Sequence, residues 1–167
     1  MQEHYVDVTS THGVIPSFMA CPDGPGQWPA IILYMDAPGI REELRNMTRR
    51  IVKQGYVCIL PDLYHRYGHL RFDIPRRNEA MGTIIKAAYL GLNDDNIAED
   101  TAGLLGFLDG RDEVKPGPVG TIGFCMSGRF VTVAARDFPR RIGAAASLYG
   151  TRLVVDEPNS PHENLAG

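Results

Sequence analysis

The stretch Thr121-Ile122-Gly123-Phe124-Cys125-Met126-Ser127-Gly128-Arg129 decides the fold of this chain. An apolar run, Pro118 to Phe124, ends abruptly in a small-x-Cys-x-small pattern, and a helical pattern over Ser127 to Asp137 begins at once. That order predicts a buried strand, a very tight turn and a helix, with a thiol at the apex. Gly123 and Ser127 flank the apex, where a sharp strand-to-helix turn brings backbones close and excludes large side chains. The pattern is a nucleophile elbow, G-x-S-x-G in its serine form, here carrying cysteine.

The position gives the thiol a chemical bias. A helix N-terminus presents unpaired N–H groups and the positive end of the helix dipole, which favour the thiolate, the reactive form of cysteine. The backbone N–H of Met126 follows the nucleophile and can face an oxyanion. A buried, inert cysteine beside a strand–helix turn is the plainer alternative. The spacing of small residues between a strand and a helix favours the elbow.

Outward from this stretch, strands and helices alternate. Tyr5 to Thr9 and Val14 to Cys21 read as a hairpin around His12-Gly13. Ala30 to Asp36 is a continuous apolar run ending in a carboxylate, as in a buried parallel strand. Arg41 to Gln54 carries Leu44, Met47, Ile51 and Val52 at helical spacing, with Gly55 as its cap. Tyr56 to Leu60 reads as a strand, His65 to Pro75 as a long loop, and Asn78 to Leu90 and Asp94 to Leu108 as helices. Ile142 to Tyr149 reads as a last strand, with loop beyond Gly150. The expected fold class is α/β, an α/β-hydrolase fold: a mostly parallel sheet, helices on both faces and an N-terminal antiparallel hairpin. In such sheets sites form beyond the carboxyl ends of strands, which puts Asp36, Asp62, Cys125 and Tyr149 around one crevice.

Composition narrows the function classes. The 167 residues suffice for one domain with a real core; 44% are apolar, 22% charged, and the net charge is −3. No basic face points to nucleic acid. No secretory signal and no run long enough to span a membrane is visible, so a cytoplasmic protein is expected. Cys21, Cys58 and Cys125 are odd in number and lack a CxxC, which argues against a disulfide scaffold and fits a reducing compartment. His65 and His69 are spaced i, i+4, but the residues between them read as loop and no third ligand has a convincing spacing; neither metal nor cofactor is expected.

Taken together, the residues Tyr34-Met35-Asp36-Ala37-Pro38-Gly39-Ile40-Arg41, Gln54-Gly55-Tyr56-Val57, Leu60-Pro61-Asp62-Leu63-Tyr64, Gly123 to Gly128, Leu148-Tyr149-Gly150 and Ser160-Pro161-His162 resemble the dienelactone hydrolase family of α/β-hydrolases, in order along nearly the whole chain. The resemblance implies a small lactone or carboxylic ester as substrate, attacked by Cys125. It implies an oxyanion hole from the backbone N–H groups of Ala37 and Met126. It implies a carboxylate at position 36 interacting with the resting thiol; the family usually has glutamate there and this chain has Asp36, one methylene shorter. Residue chemistry alone leaves Asp36 equally open to capping the following helix or pairing with an arginine. The resemblance further implies arginines that bind a substrate carboxylate. Arg41, Arg66, Arg71 and Arg152 are candidates by position, each with a solvated surface role as its plainer reading, and Arg152 stands best because it follows the strand ending at Tyr149. Tyr64 is a candidate to line the crevice, with packing under the following loop as its plainer alternative.

A triad in this fold runs nucleophile, acid, histidine along the chain. After Cys125 the acids are Asp137, Asp156, Glu157 and Glu163, and the one histidine, His162, sits in a loop before the expected acid- and histidine-bearing strands. The chain therefore reads as a single domain, 1–167, incomplete at its C-terminus, nearly inactive alone, and open to self-association through an unpaired sheet edge. Two other readings compete: a thiol redox sensor, which would need a resolving cysteine that neither Cys21 nor Cys58 is well placed to supply, and a non-catalytic small-molecule-binding module.

Overall fold

A computed structural model of the chain describes residues 1–156 and 160–164. Six strands form one mixed sheet: β1 (Gln2–Ser10), β2 (Gly13–Cys21), β3 (Ala30–Tyr34), β4 (Val57–Pro61), β5 (Val119–Phe124) and β6 (Ile142–Leu148), in the order β1-β2-β4-β3-β5-β6. β1 and β2 make an antiparallel hairpin joined antiparallel to β4, while β4-β3-β5-β6 run parallel. The helices are α1 (Glu42–Val52), α2 (Glu79–Leu90), α3 (Asp94–Asp109) and α4 (Ser127–Asp137). This is the α/β-hydrolase architecture expected from the alternation of elements.

Register assigns the helices to faces. Tyr34 of β3 bonds Thr101 of α3 at 2.7 Å, and its partner in β5, Gly123, lies against Ser127 and Val131 of α4. Cys58, paired with Ile31, points the other way, onto Thr48 of α1. Successive strand residues face opposite sides, so α3 and α4 cover one face and α1 the other. α1 buries Leu44, Thr48 and Val52, one residue per turn, with Glu42 and Glu43 in its first turn and Arg49 and Arg50 in its last, charges that suit the helix dipole. Asn78 and Asn93 cap α2 and α3 by accepting from Met81 and Asn96 N–H, each at 2.8 Å.

Observed ends differ from the expected ones by local chemistry. β3 stops at Tyr34 because Asp36 to Gly39 closes a turn, Gly39 N–H donating to the Asp36 carbonyl at 2.9 Å with Gly39 at φ +79°. β6 stops at Leu148 because Tyr149 turns to φ +41°. The 65–77 segment holds two single 3-10 turns, His65–Tyr67 and Ile74–Arg76. β6 lies at the sheet edge, with Gly143 to Ala146 exposed. No helix among the described residues is long and apolar enough to cross a membrane.

Candidate active site

Cys125 occupies the apex between β5 and α4 at φ +55°, a left-handed backbone uncommon for a residue with a Cβ, and its side chain is partly accessible. The turn is tight enough to dictate its neighbours. A Cβ on Gly123 would stand 2.2 Å from the Ser127 carbonyl oxygen, and one on Gly128 would stand 2.2 Å from Gly150 Cα. Ser127 is small for the expected reason, but its hydroxyl also holds the turn together. It accepts from Phe124 N–H at 2.8 Å and lies 3.2 Å from the Tyr34 carbonyl, tying the elbow to the central strand.

The backbone around the thiol is held from several sides. Cys125 N–H donates to the Leu148 carbonyl at 3.2 Å. The Cys125 carbonyl accepts from Gly128 N–H at 3.1 Å and Thr151 N–H at 2.9 Å. These two donors fix the Cys125–Met126 peptide plane, and in a trans peptide the Met126 N–H points away from that carbonyl. Among the described residues no hydrogen bond takes up the Met126 or Ala37 N–H. Phe124 and the exposed Tyr149 pack their rings 5.9 Å apart beside the apex.

Asp36 lies on the turn after β3 and is clamped by Arg41, Nη1 to Oδ1 at 2.5 Å and Nη2 to Oδ2 at 2.8 Å. Arg41 Nη1 also donates to the Gly39 carbonyl at 3.1 Å. Of the three roles open to Asp36, pairing with an arginine is the one observed; the helix-capping role is not, because the N-cap of α1 carries no side-chain cap. Both oxygens serve Arg41, whose guanidinium the carboxylate holds more firmly protonated.

Of the candidate arginines, Arg41 and Arg66 depart from the plain solvated reading, whereas Arg71 and Arg152 are exposed. Arg41 points inward to Asp36, and Arg66 bonds the fully buried Asp100 at 2.6 Å. Arg71 bonds the buried Asp62 at 3.1 Å. Arg152, at φ +58°, lines a cleft of about 870 Å³ with Tyr89, Asp94, Met126, Arg129 and Phe130. The cleft lies beside the elbow and reaches it through Met126. Arg129 spans its wall, paired with both Asp94 oxygens at 2.7 and 2.9 Å and donating to the Arg152 carbonyl at 3.1 Å. Tyr64 is fully buried, and its hydroxyl donates to the Ala37 carbonyl at 2.7 Å, so it does not present itself to the crevice.

The buried cluster of His65, Arg66 and Asp100 was not visible in the chain. His65 Nε2 lies 3.2 Å from both Asp100 oxygens, and Arg66 Nη1 lies 2.9 Å from the same ring nitrogen. No motif joins residues 34 positions apart; the loop-like reading of 65–75 concealed them. The remaining histidines are committed elsewhere or exposed: His12 pairs with Glu99, His162 bonds Ser160 Oγ at 2.8 Å, and His4 and His69 face solvent. Asp137 is paired with Arg136, and Glu157 lies outside the described residues. Cys21 and Cys58 are buried free thiols, which burial pushes toward the neutral form, so neither is placed to resolve an oxidised Cys125. Among the described residues no group of three or more metal-ligating side chains converges.

Comparison with known proteins identifies the family. The profile of the dienelactone hydrolase family matches residues 15–166. A protein of Synechocystis sp., provisionally named a carboxymethylenebutenolidase, is 32% identical over 89% of this chain and 61% of its own length. Another of the same provisional name, from Methylorubrum extorquens, is 28% identical over 90% of this chain and 50% of its own. The crystal structure of a provisionally named dienelactone hydrolase from Klebsiella pneumoniae superposes with a TM-score of 0.79 at 25% identity, over 96% of this chain and 64% of that one. The chain thus spans about half to three-fifths of the length of these curated relatives.

Proposed function

Because this chain belongs to the dienelactone hydrolase family, we propose that it carries the nucleophile of a hydrolase of small lactones or carboxylic esters, Cys125. The observation that carries this reading is the left-handed Cys125 at the strand–helix apex, partly accessible, with the N-terminus of α4 directly behind it. The thiolate attacks the acyl carbon, and the carbonyl electron pair moves onto oxygen. That oxygen is held by the N–H groups of Met126 and Ala37. Collapse of the adduct breaks the carbon–oxygen bond to the leaving group, which departs with its electron pair, and leaves a thioester on Cys125.

The relatives' names support a small lactone as the substrate class. Arg152, at the cleft beside the elbow, is the candidate to meet a substrate carboxylate. Asp36, clamped by Arg41, serves here to stiffen the turn that carries Ala37 rather than to take the thiol's proton. Water must then release the acyl group, and among the described residues no histidine is hydrogen-bonded to the Cys125 sulfur. Release of the acyl group is therefore the slow step.

The test is p-nitrophenyl acetate followed by intact mass and peptide mapping. One acetyl adduct on Cys125, lost in Cys125→Ala and released slowly, is the expected result. Acetylation elsewhere, or none, would remove the assignment.

A further inference from the structure

We infer that Tyr64 is a positioning residue: its buried hydroxyl sets the spacing of the two backbone amides assigned above to the oxyanion. The inference rests on that assignment and goes beyond it. The phenol lies between the two residues that carry those amides. It donates to the Ala37 carbonyl at 2.7 Å and sits 3.8 Å from Met126 Sδ. Ala37 and Met126 are far apart in the chain and belong to different strand–helix turns; the Tyr64 hydroxyl touches both, giving its one proton to the Ala37 carbonyl and resting its oxygen against the Met126 sulfur.

The contact fixes direction as well as distance. The N–H of Ala37 is carried by the Asp36–Ala37 peptide, whose carbonyl is held by Gly39 N–H at 2.9 Å. The next peptide, Ala37–Pro38, has no N–H to anchor it, because proline lacks one. Its carbonyl is the one Tyr64 holds. With the planes on both sides of the Ala37 Cα fixed, the direction of its N–H is fixed too. On the Met126 side the backbone plane is set by Gly128 and Thr151, and Tyr64 bears on the side chain.

Tyr64 is itself well supported. Its N–H donates to Asp62 Oδ1 at 3.1 Å, and Asp62 is buried and paired with Arg71. Its ring lies 3.6 Å from where a Cβ on Gly39 would stand, and 6.1 Å, centroid to centroid, from Tyr67. Burial holds the phenol in its protonated form, so it stays a donor across the working pH range. A hydroxyl with these partners is not available to substrate.

The test compares two reactions of the same thiol. Acylation by p-nitrophenyl acetate develops an oxyanion; alkylation by iodoacetamide forms a carbon–sulfur bond, expels iodide and develops none. In Tyr64→Phe, acylation of Cys125 falls about tenfold, less than the roughly 10²–10³ that follows direct loss of an oxyanion donor. Alkylation stays within about twofold of the parent. Met126→Leu, which keeps the amide and the bulk but removes the sulfur, shifts acylation in the same direction by a smaller factor and serves if the phenylalanine variant does not fold. Unchanged acylation in either folded variant, or equal loss of both reactions, overturns the inference. A parent chain that alkylates at Cys125 but never acylates there overturns the proposed function instead, and this inference falls with it.

Discussion

At position 123 a single hydrogen separates a working turn from a collision. The missing side chain leaves room for the Ser127 carbonyl, which a Cβ would approach to 2.2 Å. That contact is with backbone at the start of a helix, and backbone cannot rotate away as a long side chain can. Gly123→Ala is expected to cost about 1–3 kcal/mol or more by overpacking. In a domain of this size that is a fall of roughly 2–4 °C in melting temperature per kcal/mol. Differential scanning calorimetry checks it, and a melting temperature equal to the parent's would mean that the elbow is looser than its geometry. The same scale shows what could be read ahead of the structure. Gly123, Cys125 and Ser127 announce themselves because sterics forces small residues at fixed offsets from a nucleophile. The roles of Asp36 and Tyr64 do not, because each depends on a partner whose approach only tertiary packing decides: Arg41 for one, the Ala37 carbonyl for the other.

At the scale of elements, the sheet and its helices follow from apolar runs, periodic stripes and capping residues, and the strand and helix ends fall within a few residues of where those signals place them. The segment between β4 and α2 does not. It carries no period, yet it delivers His65 and Arg66 into a buried cluster with Asp100 of α3. Polar pairing across the fold leaves no hydrophobic stripe to be read. This cluster fastens the loop that supports Tyr64 to the helix layer. Removing its anion leaves a guanidinium and an imidazole facing a low-dielectric interior without their partner. Asp100→Ala is therefore expected to destabilise the chain by about 3–5 kcal/mol, as breaking a buried ion pair typically does. Urea denaturation of the folded protein measures this, and a loss under about 1 kcal/mol would show that water reaches the cluster.

At the scale of the whole molecule, the sheet ends in two border strands, β1 and β6. β1 packs against α3 and carries charged and polar side chains, Glu3, His4 and Asp7; β6 packs against α4 and leaves the small residues Gly143 to Ala146 exposed. Unpaired strand N–H and C=O groups flanked by small side chains offer a template for another strand. We propose that two copies of this chain pair along β6. Sedimentation velocity over a range of concentrations should show a dimer that Ala145→Lys disperses. A monomer at all concentrations up to about 100 μM would exclude edge pairing as a stable association; Kd values in that range correspond to roughly 5–6 kcal/mol.

The left-handed twist at residue 125 has a consequence for any attempt to make this protein hardier. Glycine adopts that geometry without steric cost, whereas a side chain there carries of order 1 kcal/mol of conformational penalty. Selection for heat resistance alone would thus drive the sulfur out, and selection for chemistry would keep it. The two aims diverge at this one locus, where the fold tolerates discomfort so that a reactive atom can stand clear of the chain.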